Sequence, residues 1–112
     1  MLTCGNLEKL MPLKKLRYLT GDKGLENIIR WFLVPETERL APWVHGGELL
    51  IISGAICQRS GFHLGAVIKE AMSLKMAGVL LLVGENYIEK ISSEIIRLAK
   101  VMVFPIMAIA CN

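Results

Sequence analysis

The chain has 112 residues, 54% of them hydrophobic, and a formal net charge of +3, with a mean hydropathy of +0.50. That length suits one domain, large enough to bury roughly two-thirds of its unfolded surface, and the apolar excess implies either a rich core or apolar surface kept for a partner. A membrane span is excluded, because the longest uncharged apolar stretch, 101–111, contains Pro105 and falls well short of the ~20 residues required.

Glu8 and Lys9 interrupt the N-terminus before a signal-peptide core can form. The basic residues are scattered, apart from Lys14, Lys15 and Arg17. That cluster reads as solvated surface and not as the basic stripe of a nucleic-acid binder. Three cysteines, Cys4, Cys57 and Cys111, lie far apart with no metal-ligand or redox spacing, and their odd count argues against a disulfide framework. Buried free thiols in a reducing cytoplasm are the expectation, with no metal and no cofactor.

In chain order, residues 2–11 read as a helix with Thr3 at the N-cap and Leu7, Leu10 and Met11 on one face, stopped by Pro12. A short extended piece at 16–19 closes in the turn-rich Thr20-Gly21-Asp22-Lys23-Gly24. Residues 28–34 form a β-branched and aromatic strand stopped by Pro35, and 36–43 a helical turn or two limited by Pro42. The paired glycines Gly46-Gly47 lead into Glu48 and the aliphatic strand 49–52, which leaves through Ser53-Gly54. Residues 62–77 have helical periodicity, with Leu64, Val67, Ile68, Ala71, Leu74 and Met76 inward. A second apolar strand spans 79–83 between Gly78 and Gly84. Residues 87–100 read as one amphipathic helix burying Ile88, Ile91, Ile95 and Leu98, and 104–110 as the last strand. Strands apolar on both faces and separated by helices predict a small α/β domain. Its sheet is mainly parallel, with βα repeats, right-handed crossovers and covering helices. No internal repeat or linker divides the chain, so 1–112 is one domain, and its close after a strand suggests a piece of a longer protein.

Ligands of open parallel sheets bind beyond the carboxyl ends of the strands. Those ends are Pro35-Glu36-Thr37, Ser53-Gly54 and Gly84-Glu85-Asn86. Ser53, Gly54, Glu85 and Asn86, with Glu36, offer hydroxyl, backbone N–H, carboxylate and amide groups to a small polar ligand. The same residues also suit ordinary strand-to-helix turns with Ser and Asn as caps. Gly46-Gly47 fits a tight turn at positive φ or a close approach to a ligand. No phosphate-cradling glycine motif occurs. His45 and His63 lack the neighbours that catalysis needs and read as capping or surface residues. Glu48, a carboxylate entering an apolar strand, is expected to satisfy the Gly46-Gly47 turn. Trp31 and Trp43 read as core or interface anchors.

Together these segments resemble the N-terminal domain of purine-catabolism-type (PucR-like) transcriptional regulators. The resemblance rests on Met11-Pro12-Leu13, on Gly24-Leu25-Glu26-Asn27-Ile28-Ile29-Arg30-Trp31, on Pro42-Trp43, on Gly46-Gly47-Glu48-Leu49 with its Ser53-Gly54 exit, and on Gly78-Val79 and Phe104-Pro105-Ile106. Gly-Gly-Glu-Leu is its specific part. Glu26-Asn27 stands where the family has Asp-Arg, and Ile52-Ser53 where it has Thr-Thr. The resemblance implies a cytoplasmic, non-enzymatic regulatory module of catabolic genes, purine degradation among them. It would sense a metabolite effector, form a homodimer, or both, and would reach DNA only through a helix-turn-helix domain that this chain lacks. The competing expectations are a ligand-free protein-interaction module and, with no nucleophile-base pair to support it, a small enzyme subunit.

Overall fold

The computed structural model describes residues 1–10, 15–36 and 39–111. The expected helix stop at Met11-Pro12, the basic Lys14 and the strand-end Thr37 lie outside them. Five strands form one sheet in the order β1-β5-β4-β3-β2. β2 (Trp31–Leu33), β3 (Glu48–Ser53), β4 (Gly78–Val83) and β5 (Ile106–Ala110) run parallel, and β1 (Arg17–Tyr18) pairs antiparallel with β5. The α/β architecture and mainly parallel sheet are as the sequence predicts.

The central strands are buried on both faces because both are covered, though by different means. On one face Leu50, Ile52, Val79, Leu81, Ile106 and Ala108 meet the helices α2 (Gly54–Cys57), α3 (Leu64–Ser73), α4 (Glu85–Glu89) and α5 (Ser93–Val101). On the other, Leu49, Leu80, Met107 and Ile109 meet Cys4, Leu7 and Ile29. Cys4 lies in a 3-10 turn (Cys4–Asn6) that runs into the single-turn α1 (Leu7–Leu10), which Leu7 opens. Helices α2 to α5 therefore lie together on one face. The thin N-terminal segment leaves Ile51 and Leu82 half-buried on the second.

Several boundaries differ from the sequence expectation. The strand expected at 28–34 shrinks to Trp31–Leu33, because Ile28 and Ile29 pair with the N-terminal segment: Thr3 bridges Ile28, and the Ile29 N–H donates to the Leu2 carbonyl at 2.8 Å. The helix expected at 87–100 is two helices. Ser92 accepts a hydrogen bond from the Ile95 N–H at 3.2 Å and starts α5 afresh, the use of serine that caps favour over helix interiors. The new start changes the buried set, so Ala99 is buried and Leu98 is exposed. Leu10, expected on the buried face, is exposed as well. All three cysteines are free, but only Cys4 is fully buried, Cys57 being half-buried and Cys111 exposed. Both tryptophans lie outside the core, Trp31 at 71% and Trp43 at 67% exposure. Among the described residues no helix is long and apolar enough to cross a membrane.

Candidate functional site

The Gly46-Gly47 pair turns at φ +102° and +82°, conformations that disfavour any residue with a Cβ. Glu48 holds the turn closed. Its buried carboxylate accepts from the His45 N–H at 2.5 Å and the Gly46 N–H at 2.8 Å. A buried carboxylate needs such donors to offset its lost hydration. The Gly47 N–H donates to the Lys75 carbonyl at 3.1 Å, and the Arg30 N–H to the Gly47 carbonyl at 2.9 Å. A Cβ on Gly47 would stand 2.9 Å from Arg30 Cδ, so the absence of a side chain lets Arg30 lie across the turn.

The turn forms one wall of a cleft of about 690 Å³ beneath the amino ends of the strands, within the range of small-molecule sites. Arg30, His45 and Lys75 are its ionisable lining residues, Met102 and Val103 part of its apolar wall, and among the described residues no Asp or Glu lines it. Among the described residues none of the three basic side chains enters an ion pair. Helices α3 and α5 end beside the cleft in matching ways. The Lys75 and Met76 N–H groups return to Met72 and Ala71, and the Val103 and Phe104 N–H groups to Lys100 and Ala99. These are Schellman closures that occupy carbonyls which would otherwise face the cleft with negative charge. Each needs a left-handed residue, supplied by Lys75 (φ +57°) and Val103 (φ +54°) instead of glycine. Non-glycine residues held there are strained, and such strain gathers at clamps and binding sites.

The strand-end residues occupy the opposite end of the sheet. Ser53 is half-buried at the N-cap of α2, with no capping bond from its hydroxyl. Gly54 opens α2. Glu85 opens α4 and is held by Arg17, whose Nη1 lies 2.7 Å and 2.9 Å from its two carboxylate oxygens. Asn86 is exposed in α4. None of these four lines the cleft beneath the turn. Glu36 instead joins Trp43, Leu33, Val34 and Leu40 around a separate cleft of about 420 Å³ beside β2, and its carbonyl accepts from the Arg59 guanidinium. His63 is exposed at the N-cap of α3. A third cleft, about 320 Å³, lies between His63 and Tyr87. Among the described residues no three His, Cys, Asp or Glu side chains gather as metal ligands.

Sequence reasoning marked His45, Gly46 and Gly47 but missed Arg30 and Lys75. Nothing local distinguishes these two from other surface cations, and they join the turn only through contacts between β2, α3 and the loop before β3.

What these features define is a one-sided α/β module with a basic cleft and, among its described residues, no assembled catalytic set. The chain belongs to the purine catabolism regulatory protein-like (PucR) family, whose model matches residues 6–112. Membership makes it a regulatory domain of a transcription regulator, in a family that is regulatory and not enzymatic. No curated protein and no solved structure matches the chain.

Proposed function

We propose that this is the signal-sensing domain of a cytoplasmic regulator of catabolic genes, purine catabolism among them, and that it binds a small anionic metabolite in the cleft beneath Gly46-Gly47. One observation supports the reading above the rest: the turn that carries the family's Gly-Gly-Glu-Leu run also assembles Arg30, His45 and Lys75 around a ligand-sized cleft with, among the described residues, no acid in its lining. Arg30 would hold a carboxylate or similar planar anion through two parallel N–H bonds. Lys75 and His45 supply further donors, and the methionine and valine wall takes an apolar ring or chain.

The test is a thermal-shift and calorimetric titration of the domain with small mono- and dicarboxylates and oxidised purines. A ligand at a hundred times its dissociation constant should stabilise the fold by about 2.7 kcal/mol. Arg30→Ala and Lys75→Gly should abolish the shift while leaving the fold intact, since both side chains are exposed and glycine relieves the left-handed φ. No shift across the panel, or one that both variants retain, would sink the reading.

A further inference from the structure

Strand β2 forms one edge of the sheet and carries an apolar surface unusual for an edge: Trp31 is 71%, Phe32 55% and Val34 61% exposed. Natural edges are ordinarily blunted by charge or proline, yet the first proline here is Pro35, after the strand has ended. The hydrogen-bond parity of the strand shows what remains open. Arg30 donates inward, to Gly47 of the loop before β3, while Ile29 donates outward, to Leu2. The alternation slips by one residue before the strand, since Ile29 packs on the second sheet face and Leu33, opposite Leu50, on the first. Trp31 and Leu33 therefore bond to β3, and the N–H and C=O groups of Phe32 point away from the sheet. Among the described residues the N-terminal segment covers the edge at Ile28 and Ile29 and leaves Trp31–Leu33 bare.

The geometry points to a second copy of this chain, joined by antiparallel β2–β2 pairing about a two-fold axis at Phe32, with Trp31 of each copy seated in the cleft beside Leu33 of the other. In that register Phe32 forms a hydrogen-bonded pair with its own copy and exchanges both open groups, while Trp31 and Leu33 form close, non-hydrogen-bonded pairs on either side of the axis.

Residues opposite one another share a face, so the Trp31 indole lies over Leu33 of the other copy. Beside that Leu33 is the cleft of about 420 Å³ bounded by Leu33, Leu40 and Trp43, large enough for an indole. An aromatic seated in a desolvated pocket is the usual anchor of an interface. The four exposed side chains, Trp31, Phe32, Val34 and Trp43, offer roughly 500 Å² per copy by the ordinary areas of such groups. Paired backbones bring the total toward the ~600 Å² per partner at which specific interfaces begin. The contact is isologous, so it closes as a dimer and does not propagate as a fibre.

This inference does not depend on the metabolite reading: mass and cross-linking test the dimer, and ligand titration tests the cleft. Light scattering of the domain from about 1 μM to about 1 mM should show a monomer turning into a dimer. Trp31→Ala should raise the dissociation constant at least about tenfold with unchanged circular dichroism. Phe32→Cys, in a background with Cys57→Ser and Cys111→Ser, should cross-link rapidly under mild oxidation. Val34→Cys should not, because four residues of extended chain, ~13 Å, would separate the two thiols along the strand. A wild-type chain that stays monomeric throughout overturns the inference and leaves the edge to another protein. So does a dimer indifferent to folded Trp31→Ala, or one that cross-links at Val34→Cys as readily as at Phe32→Cys.

Discussion

Glu48 shows how one side chain can hold a turn that no backbone ladder satisfies. Its two oxygens take the His45 and Gly46 N–H groups at 2.5 Å and 2.8 Å, while its own backbone carbonyl accepts from the Ala77 N–H at 2.8 Å. Removing the carboxylate strands two donors at the base of a buried strand, each worth about 1–3 kcal/mol when left unpaired. Glu48→Ala should therefore destabilise the domain by about 2–4 kcal/mol in urea denaturation. A loss below about 0.5 kcal/mol, the usual range of a surface change, would show that water replaces the carboxylate there. Glu48 was legible from the sequence because a lone carboxylate in an apolar run needs a local partner. The glycines before it were equally legible. Arg30 was not, because its packing against Gly47 depends on a neighbouring strand.

The elements divide at the same line between local and distant causes. Strands β3, β4 and β5 stand where their aliphatic runs predicted, since a run buried on both faces has few other places to go. β2 was predicted too long, because pairing of Ile28 and Ile29 with the distant Thr3 and Leu2 cannot be read from the strand's own composition. The helix at 87–100 was predicted unbroken because its apolar spacing continues through 90–92, where Ser92 instead restarts it. The end of α5 offers a test. Val103 holds φ +54° while half exposed, where a β-branched residue costs about 1–2 kcal/mol relative to glycine. Val103→Gly gives part of that back through the freer unfolded chain. The variant should be more stable by about 0.5–1 kcal/mol in chemical denaturation, and a destabilised variant would mean that the valyl side chain contributes packing to the cleft wall.

At the scale of the whole molecule, the thin cover on the second sheet face makes Cys4 a reporter of global folding. Its side chain is fully buried, its Sγ–H faces the Ala77 carbonyl at 3.5 Å, and burial pushes the thiol up from 9.0 to about 12. The folded state keeps this proton in a range where the unfolded chain releases it. The unfolded state binds fewer protons there, and stability falls as pH rises from about 9 toward about 12. Denaturation between about pH 7 and about pH 11 should show this decline, and Cys4→Ala should remove most of it. A decline of equal size in the variant would assign the effect to other groups. The same thin cover leaves β2 at an uncovered edge, where apolar surface that one chain cannot bury becomes available to another.

By itself the sequence determined the α/β class, the three central parallel strands, the Gly46-Gly47-Glu48 turn and the family, because each rests on local periodicity, turn chemistry or a contiguous motif. Tertiary structure alone decided that all the longer helices pack on one face and that a fifth strand closes the sheet antiparallel. It also brought Arg30 and Lys75 to the turn and left Trp31 and Phe32 on an open edge. Those outcomes depend on which segments meet across tens of residues, and the residues that meet carry no mark of their partners in the surrounding sequence.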